Sequence, residues 1–286
     1  MTTHWPRLDA ARPLGAARSG RLELAFFRHG ERTRLGRQFV SYPFHVTRPF
    51  LLDAAIPSLS TVYLQSSSGG LYRAEDLACR LAVGAKAAAH VTTQAATVVH
   101  DCHGKPSRQH VSIAVDQGAF LAYTPDPLVL FPGASCHAGL EATLAADAVM
   151  FLADAFASHD PTAVGRPFDR LRSDVAVRDP HGTLLIRDSF DIAGATLRKS
   201  RAGIAGWAVI SNFFVLGDSG RLPGRDVLAD AATADAIVGV TALPGKAGWG
   251  VRCLARDAVA ARRVADSLFA LCVEAAFGVR PAKRRK

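Results

Sequence analysis

Cysteine is scarce in this sequence, and its spacing matches no known framework. Five cysteines occur among 286 residues, and no two of them form a CxxC pair. An odd number without paired spacing argues against both a disulfide scaffold and a zinc ribbon. We therefore predict a protein of a reducing compartment, the cytoplasm.

Long apolar runs are missing as well. The first twenty residues, MTTHWPRLDAARPLGAARSG, hold no apolar stretch of the length of a secretory signal. No later window offers about 18 uninterrupted apolar residues, the length that crosses a membrane. We predict no association with membranes. Residues 1–20 show no periodicity and are predicted to form a flexible lead-in.

Common enzyme signatures are absent too. The sequence contains no GxSxG, HExxH or GxGxxG motif. The segment ALPGKAGWG (242–250) is not a phosphate-binding loop, because Val240 and Ala247 stand where that motif needs a glycine and a hydroxyl. This departure argues against nucleotide hydrolysis.

One cysteine and one histidine are neighbours in SCHAGLE (135–141). A nucleophilic thiol needs a base within hydrogen-bond reach. Adjacent residues on an extended strand point to opposite faces, so Cys136 and His137 would not form a dyad directly. We interpret the segment as a loop with a structural cysteine.

Acidic residues are fewer than basic residues. Thirty-four Lys and Arg against 25 Asp and Glu give a net charge of +9 and an isoelectric point near 9.8. Such a surface favours an acidic partner, nucleic acid or anionic lipid. Residues 279–286 are predicted to be a basic tail. A basic, β-rich nucleic-acid-binding protein is therefore the alternative function, although the tail lacks interleaved aromatic residues and nucleic acid is the less favoured partner.

What the sequence does contain is alternation with a period of two. HVSIAV places Val111, Ile113 and Val115 on one face, as expected of a half-buried strand. Similar runs occur at 22–27, 61–65, 91–99, 128–131, 174–179, 183–188, 207–217 and 250–255. Turn-rich clusters separate them. These patterns predict a mainly β chain.

The period changes near the end of the chain. Residues 256–278 carry an apolar stripe at helical spacing and stop at Gly278. The alanine-rich stretch 226–239 is predicted as a second helix. No linker or fixed repeat divides the chain, so we predict a single β-rich domain over residues 21–278.

The segment HDCHG (100–104) offers two histidines, an aspartate and a cysteine. If the preceding strand continues, His100 and Cys102 point to one side, and a turn would bring in His103. Imidazole and thiolate suit nickel, zinc or copper. The same residues also suit a solvated turn in which Asp101 accepts backbone hydrogen bonds. The spacing alone leaves both readings open.

Two long segments resemble one family. SSGGLYRAEDLACRLAVGAKAAAHVTTQAATVVHD (67–101) and LAYTPDPLVLFPGASCHAGLEATLAADAVMFLADAF (121–156) resemble the signatures of the urease accessory protein of the D type, called H in some bacteria. The resemblance covers the central third of the chain closely. It implies a long, mainly β, superhelical fold with two helices in the C-terminal half.

The same resemblance implies a non-enzymatic urease maturation chaperone. Such a protein binds apo-urease and bridges it to the urease accessory proteins F and G, the latter a GTPase, for nickel insertion. No cofactor is expected to bind tightly, and transient nickel is expected at His100, Cys102 and His103. The expected scaffold or partner-contact residues are Gly69, Gly70, Asp76, Thr92, Thr93, Gln94, Pro132, Gly133 and Asp154. One departure is that the family's GR-x-x-x-GE motif is replaced around Gly165 and Arg166, where no glutamate follows.

Overall fold

The structure, a computed structural model, describes residues 19–199 and 206–284. Seventeen strands are present in this part of the chain: β1 (Ser19–His29), β2 (Arg32–Val40), β3 (Phe44–Val46), β4 (Leu59–Ser66), β5 (Asp76–Val83), β6 (Ala88–Thr93), β7 (Thr97–Val99), β8 (Ser107–Val115), β9 (Phe120–Thr124), β10 (Leu128–Leu130), β11 (Ser135–Leu144), β12 (Val149–Ser158), β13 (Arg170–Arg178), β14 (Leu184–Ala193), β15 (Val209–Gly217), β16 (Ala236–Ala242) and β17 (Gly248–Ala255). Three helices accompany them: α1 (Gly194–Lys199), α2 (Arg225–Ala229) and α3 (Ala258–Phe277). The mainly β prediction is confirmed, with three helices rather than two.

The chain winds as a β-solenoid. β1, β5, β8, β11 and β13 lie side by side and parallel in a seven-stranded sheet, which β2 and β14 close at its two ends. β4, β6, β9 and β12 form the parallel part of a ten-stranded sheet. Apart from β7 and β10, the strands from β4 to β13 alternate between the two sheets, so each turn of the chain adds one strand to each. The superhelical arrangement implied by the resemblance is confirmed.

A short third face completes part of the winding. β7 and β10 run parallel to each other, and β10 also pairs with the end of β12. The predicted strand at 91–99 is therefore two strands, β6 and β7, separated by Gln94, Ala95 and Ala96. This break makes the corner at which the chain leaves the ten-stranded sheet.

Apolar side chains fill the space between the two sheets. In β8 the buried apolar residues are Val111, Ile113 and Val115, as the alternation predicts, and they join a cluster contributed by both sheets. A second cluster forms where α3 packs on the outer face of the ten-stranded sheet through Val264, Leu268 and other residues. One face of the ten-stranded sheet therefore packs against the seven-stranded sheet, and the other packs against α3.

Helix α3 ends where the sequence predicts. Asp257 caps its N-terminus by accepting a hydrogen bond from the Ala260 N–H at 2.7 Å, and Gly278 ends it in the left-handed conformation. The second predicted helix, 226–239, is wrong beyond Ala229. Residues 236–242 form β16 instead, because their Ile and Val side chains suit a strand paired with β17.

SCHAGLE (135–141) is a strand rather than the predicted loop. It lies in β11 between β8 and β13, both parallel to it. Cys136 is buried, while His137 points outward to Asp174 at 3.1 Å. Burial raises the pKa of Cys136 to about 11, so its thiol stays protonated. The structural role predicted for Cys136 fits this placement.

Only parts of the predicted lead-in and basic tail lie among the described residues. Residues 1–18 lie outside the described residues, and Ser19 and Gly20 already belong to β1. In the predicted basic tail, Arg284 is buried and pairs with Asp53 at 2.7 Å. The backbone N–H of Ala282 also donates to Asp53, at 2.6 Å. Residues 285 and 286 lie outside the described part of the chain.

Candidate functional site

The paired glycines of the first signature form a turn that other residues would strain. Gly69 and Gly70 have φ values of +76° and +145°. A Cβ atom on Gly70 would lie 2.3 Å from the carbonyl oxygen of Val98 and 3.1 Å from Nε2 of His100. The turn therefore packs directly on β7. Asp76 follows as the first residue of β5, where it pairs in register with Arg108 of β8.

A second turn, at Pro132 and Gly133 in the segment 121–156, packs on the residues that follow β7. Gly133 has φ +74°, and a Cβ there would lie 2.7 Å from the carboxylate of Asp101. Asp101 forms a bridge with Ala134, and the Cys102 N–H donates to the Gly133 carbonyl at 3.1 Å. The Pro132 turn is thus held against residues 101 and 102. We refer to residues 69–72, 100–103 and 131–134 as the signature rim.

Two threonines of the segment 67–101, Thr92 and Thr93, fix the corner after β6. The Thr92 hydroxyl donates to the Thr124 carbonyl at 2.6 Å, and the Thr93 hydroxyl donates to Asp126 at 3.1 Å. The Asp126 N–H in turn donates to the Thr93 hydroxyl at 2.8 Å. The Gln94 N–H donates to the Leu64 carbonyl in β4. These bonds join three successive turns of the solenoid.

Two cavities share lining residues at this corner. One, of about 530 Å³, extends from Gly69 and Gly70 past Gln65 and Cys79. The other, of about 70 Å³, reaches Asp154 and Ser173 between the sheets. Both are lined by Thr93, Thr97, Gln109 and Tyr123. We refer to the two together as the inner passage.

A carboxyl group lies at the inner end of the passage. Asp154, on β12, accepts a hydrogen bond from the Ser173 hydroxyl at 2.7 Å. Burial raises the pKa of Asp154, although the hydrogen bond from Ser173 opposes this shift. Burial also raises the pKa of Cys79 to about 12. Most of the lining of the passage is apolar. Its polar groups are hydroxyls, amides, the carboxyl groups of Asp126 and Asp154, the imidazole of His45 and a Cys79 thiol that stays protonated near neutral pH.

The predicted nickel residues do not point toward one another. The Cys102 side chain is fully buried, and its thiol lies 3.3 Å from the His100 carbonyl and 3.2 Å from the Ser135 carbonyl. His103 is exposed, with its ring 3.3 Å from Asp101. His100 stacks on Tyr72 with ring centroids 4.3 Å apart. Asp101 accepts a hydrogen bond from the His103 N–H at 2.8 Å. This is the geometry expected of the alternative interpretation, a turn in which Asp101 accepts backbone hydrogen bonds.

In the described residues, 19–199 and 206–284, no group of three or more His, Cys, Asp and Glu side chains is placed to hold a metal ion. The structure therefore shows no preformed site at His100, Cys102 and His103. Transient nickel contact at these residues stays a prediction.

The loop that replaces the family's GR-x-x-x-GE motif has its own internal bonds. Asp160 accepts hydrogen bonds from the Arg166 N–H at 2.8 Å and from the Thr162 hydroxyl at 2.8 Å. These donors, led by the Arg166 N–H, hold the pKa of Asp160 below its ordinary value. An aspartate therefore organises this exposed loop.

A third cavity, of about 430 Å³, lies between α3 and the ten-stranded sheet. His90 and Arg284 line it, and Arg284 places its guanidinium carbon 5.0 Å from the ring centre of Phe269. The third cavity shares Gln94, Ala95 and Ala96 with the inner passage. The corner after β6 thus separates the interior of the solenoid from its helical side.

Sequence reasoning missed several of these residues. Gln109, Tyr123, Asp126 and Ser173 come from four different strands or loops, and only the winding of the chain brings them together. The pairing of Arg284 with Asp53 joins the end of the chain to a loop 231 positions earlier. Alternation could have placed Gln109 on the inward face with Val111, but it could not have identified its neighbours.

No helix in the described residues is both long and apolar enough to cross a membrane.

Comparison with known proteins places the chain in a family. The UreD urease accessory protein family matches residues 18–286. The chain is 42% identical over 265 residues to urease accessory protein UreD 1 of Methylorubrum extorquens strain PA1, covering 92% of this chain and 90% of that protein. It is 44% identical over 258 residues to urease accessory protein UreD 3 of Bradyrhizobium sp. strain ORS 278, covering 90% and 91%. It is 36% identical over 259 residues to urease accessory protein UreD 1 of Pseudomonas syringae pv. tomato strain DC3000, covering 88% and 90%. The chain therefore belongs to the UreD urease accessory protein family.

Proposed function

We propose that this chain is a non-enzymatic chaperone of urease maturation that binds apo-urease and bridges it to the urease accessory proteins F and G. In this role it gives nickel a protected route toward the urease active site. Family membership supports a part in urease maturation. The observation that carries the rest is the inner passage, which runs from the signature rim to Asp154 between the sheets.

The polar groups of the passage suit a nickel ion that must be released after it binds. Nickel binds imidazole and thiolate strongly, and hydroxyl and amide oxygens more weakly. The passage offers Thr93, Gln109 and Tyr123 in the lining that its two cavities share. The polar groups shared by the two cavities are therefore weak ligands, which bind nickel without trapping it.

The signature rim is the proposed contact with the partner proteins. It carries Tyr72, which is 39% exposed and stacked on His100, and Phe131, whose ring centre lies 5.6 Å from that of His100. Rigid aromatic side chains of this kind are enriched among residues that dominate protein interfaces. The net charge of +9 favours docking on an acidic partner surface.

Co-expression with the urease structural subunits and the other accessory proteins tests this proposal. We expect Ala138→Phe, which places a ring in the smaller cavity, to reduce urease-bound nickel at least several-fold, while copurification with urease persists. Thr143→Phe is the matched control, because Thr143 is exposed on the outer face of the same strand. The readouts are nickel per urease active site and the amount of this chain that copurifies.

Full nickel loading of urease by Ala138→Phe would exclude the inner passage as the route. Loss of copurification in both variants would point to misfolding, which thermal denaturation of each purified variant detects. Full nickel loading in the complete absence of this chain would overturn the proposed function itself.

A further inference from the structure

The two main sheets end in four edge strands, and three of these edges are protected. β2 carries Arg32, Arg34 and Arg37, and β14 carries Arg187, Asp188 and Asp191. β3 is only three residues long. Charged side chains and short length are the usual devices that stop an edge from pairing with another chain.

β16, the fourth edge, has none of these devices. Its sequence, AIVGVTA, contains no charged residue and no proline, and its pairing with β17 shows no bulge. Ile237 is 55% exposed. An apolar, uncharged edge without a bulge is a template for a further strand.

The register of the hairpin shows which backbone groups face outward. Pairing with β17 continues beyond β16 on both sides, since the Arg256 N–H donates to the Asp235 carbonyl and the Leu243 N–H donates to the Gly248 carbonyl. In an antiparallel pair, such hydrogen-bonded positions alternate with positions that point away. Asp235 and Leu243 are odd-numbered, so the even-numbered residues of β16 direct their N–H and C=O groups to the open edge.

Those outward groups are Val238, Val240 and Ala242. Within the described part of the chain, β16 pairs with β17 and with no other strand. Ala236 also faces outward, but it bonds to Thr233 in the preceding turn. The pairing edge is therefore centred on Val238 and Val240.

The sequence of β16 is close to a palindrome around Gly239. Reading outward from Gly239 in either direction gives valine, then a β-branched residue (Ile237 or Thr241), then alanine. A strand with this symmetry presents the same surface to an antiparallel copy of itself. Such a self-complementary patch is what a two-fold symmetric interface requires.

We propose that β16 is a self-association edge at which two copies of this chain pair antiparallel, with a two-fold axis at Gly239. This inference does not depend on the role in urease maturation. In this register Val238 faces Val240 of the second copy, and their outward N–H and C=O groups bond to each other. Ile237 faces Thr241 of the second copy, a cross-strand pair of β-branched residues that favours sheet formation.

Charge at the two ends of the strand agrees with the same register. Asp235 precedes β16, and Lys246 lies in the turn that follows it; both are exposed. Antiparallel pairing about Gly239 brings Asp235 of one copy toward the turn that carries Lys246 of the other. One short strand pair buries a modest surface, so we expect a weak dimer whose population rises with protein concentration.

A disulfide trapped at the axis tests the register directly. Gly239 is exposed, and a Cβ atom there would meet nothing within 4 Å, so Gly239→Cys fits the fold. On the axis, Gly239 faces itself in a non-hydrogen-bonded pair with Cα atoms about 4.5 Å apart. This lies within the range of roughly 4.4–6.8 Å that a disulfide spans. The native cysteines among the described residues are all buried, so they should compete little.

Thr241→Cys is the matched control on the same strand and face. Its counterpart in the second copy would lie four positions along the partner strand, at about 13 Å, which is too far for a disulfide. Under mild oxidation of the full chain at high concentration, we expect Gly239→Cys to form a covalent dimer at least ten times more than Thr241→Cys does. Equal crosslinking of the two variants would show random collision or another register and would overturn the proposal.

Sedimentation of the native chain over a wide concentration range provides the second measurement. We expect the mass to rise from monomer toward dimer, and Val238→Pro to remain a monomer. Proline at 238 removes an outward N–H and leaves the bonds to β17 intact. A native chain that stays monomeric at every concentration, with no crosslink at position 239, would refute a self-association edge. So would crosslinking of Gly239→Cys to a partner protein in preference to its own copy.

Discussion

At the scale of single residues, the signature glycines are explained by backbone geometry. Gly70 combines a φ of +145° with a carbonyl oxygen of β7 at the place where a Cβ would sit. Gly133 is similar, with the carboxylate of Asp101 in that place. Glycine alone fits such positions without displacing its neighbours. These residues shape the rim that we propose for partner contact.

Replacing Gly70 should therefore destabilise the protein. We expect Gly70→Ala to lower the free energy of unfolding by about 1–3 kcal/mol, because the backbone strain and the contact with Val98 act together. Gly224→Ala is the control, since the nearest atom to its Cβ is 4.0 Å away and its φ is −66°. Urea denaturation of the two variants measures the difference. Equal stability would mean that the turn relaxes without cost.

Asp154 is a second single residue with a testable effect: it makes the free energy of unfolding depend on pH. Burial raises its pKa in the folded protein above the ordinary value. Between the unfolded and folded pKa values, the native state binds more protons than the unfolded state, so the free energy of unfolding falls as pH rises. We expect Asp154→Asn to flatten that fall. Denaturation midpoints measured from acidic to neutral pH check this, and an unchanged slope would assign the effect to another group.

At the scale of elements, the end of the chain acts as a strap. Arg284 and Asp53 have side chains only 4% and 2% exposed, and the pair joins the residues after α3 to the loop before β4. Arg284 also lies over Phe269 of α3, and the ring of Phe269 stacks on His90 of β6 at 4.2 Å. The strap thus fixes α3 against the ten-stranded sheet beside the third cavity.

Removing one partner of this buried pair should be costly. We expect Arg284→Ala to lower the free energy of unfolding by about 3–5 kcal/mol, because Asp53 would stay buried without its counter-charge. The exposed neighbour gives the control variant Lys283→Ala, for which little change is expected. Combining Arg284→Ala with Asp53→Ala should cost less than the sum of the single changes. Additive losses would show that the two residues do not act as a pair.

At the scale of the whole molecule, the winding of the chain produces the inner passage. The strands that line it alternate between two sheets, and each turn contributes one or two polar side chains among apolar ones. Thr93 and Tyr123 come from the ten-stranded sheet, and Gln109 and Ser173 come from the seven-stranded sheet, so both sheets contribute polar groups to the passage. The same winding leaves strand edges at the ends of the sheets, among them β16.

Much of the fold could be predicted from the sequence. Alternation located β8, β13, β14, β15 and β17, since half-buried strands require it. It failed at 226–239, where alanine content suggested a helix, and pairing with β17 selected a strand for residues 236–242. It also failed at 135–141, because a strand with both neighbours parallel needs no clear alternation to be held in place.

The candidate site was predictable only in part. The signature residues could be named from their motifs, and the left-handed turns at Gly69, Gly70 and Gly133 agree with glycine there. The grouping of His100, Cys102 and His103 as ligands assumed a continuing strand. The chain turns at that point, with the Lys105 N–H donating to the Cys102 carbonyl, and Cys102 faces the interior. Local sequence does not specify such a reversal.

The sequence by itself determined the strand-rich character of the chain, the helix at its end, the need for glycine in its turns and its family. These depend on local propensity, periodicity and motif spacing, which neighbouring residues carry. Only the tertiary structure decided which polar residues line the passage, that Arg284 is buried against Asp53, and that β16 has an open edge. Each of these depends on contacts between residues distant in sequence, and such contacts exist only once the solenoid has wound.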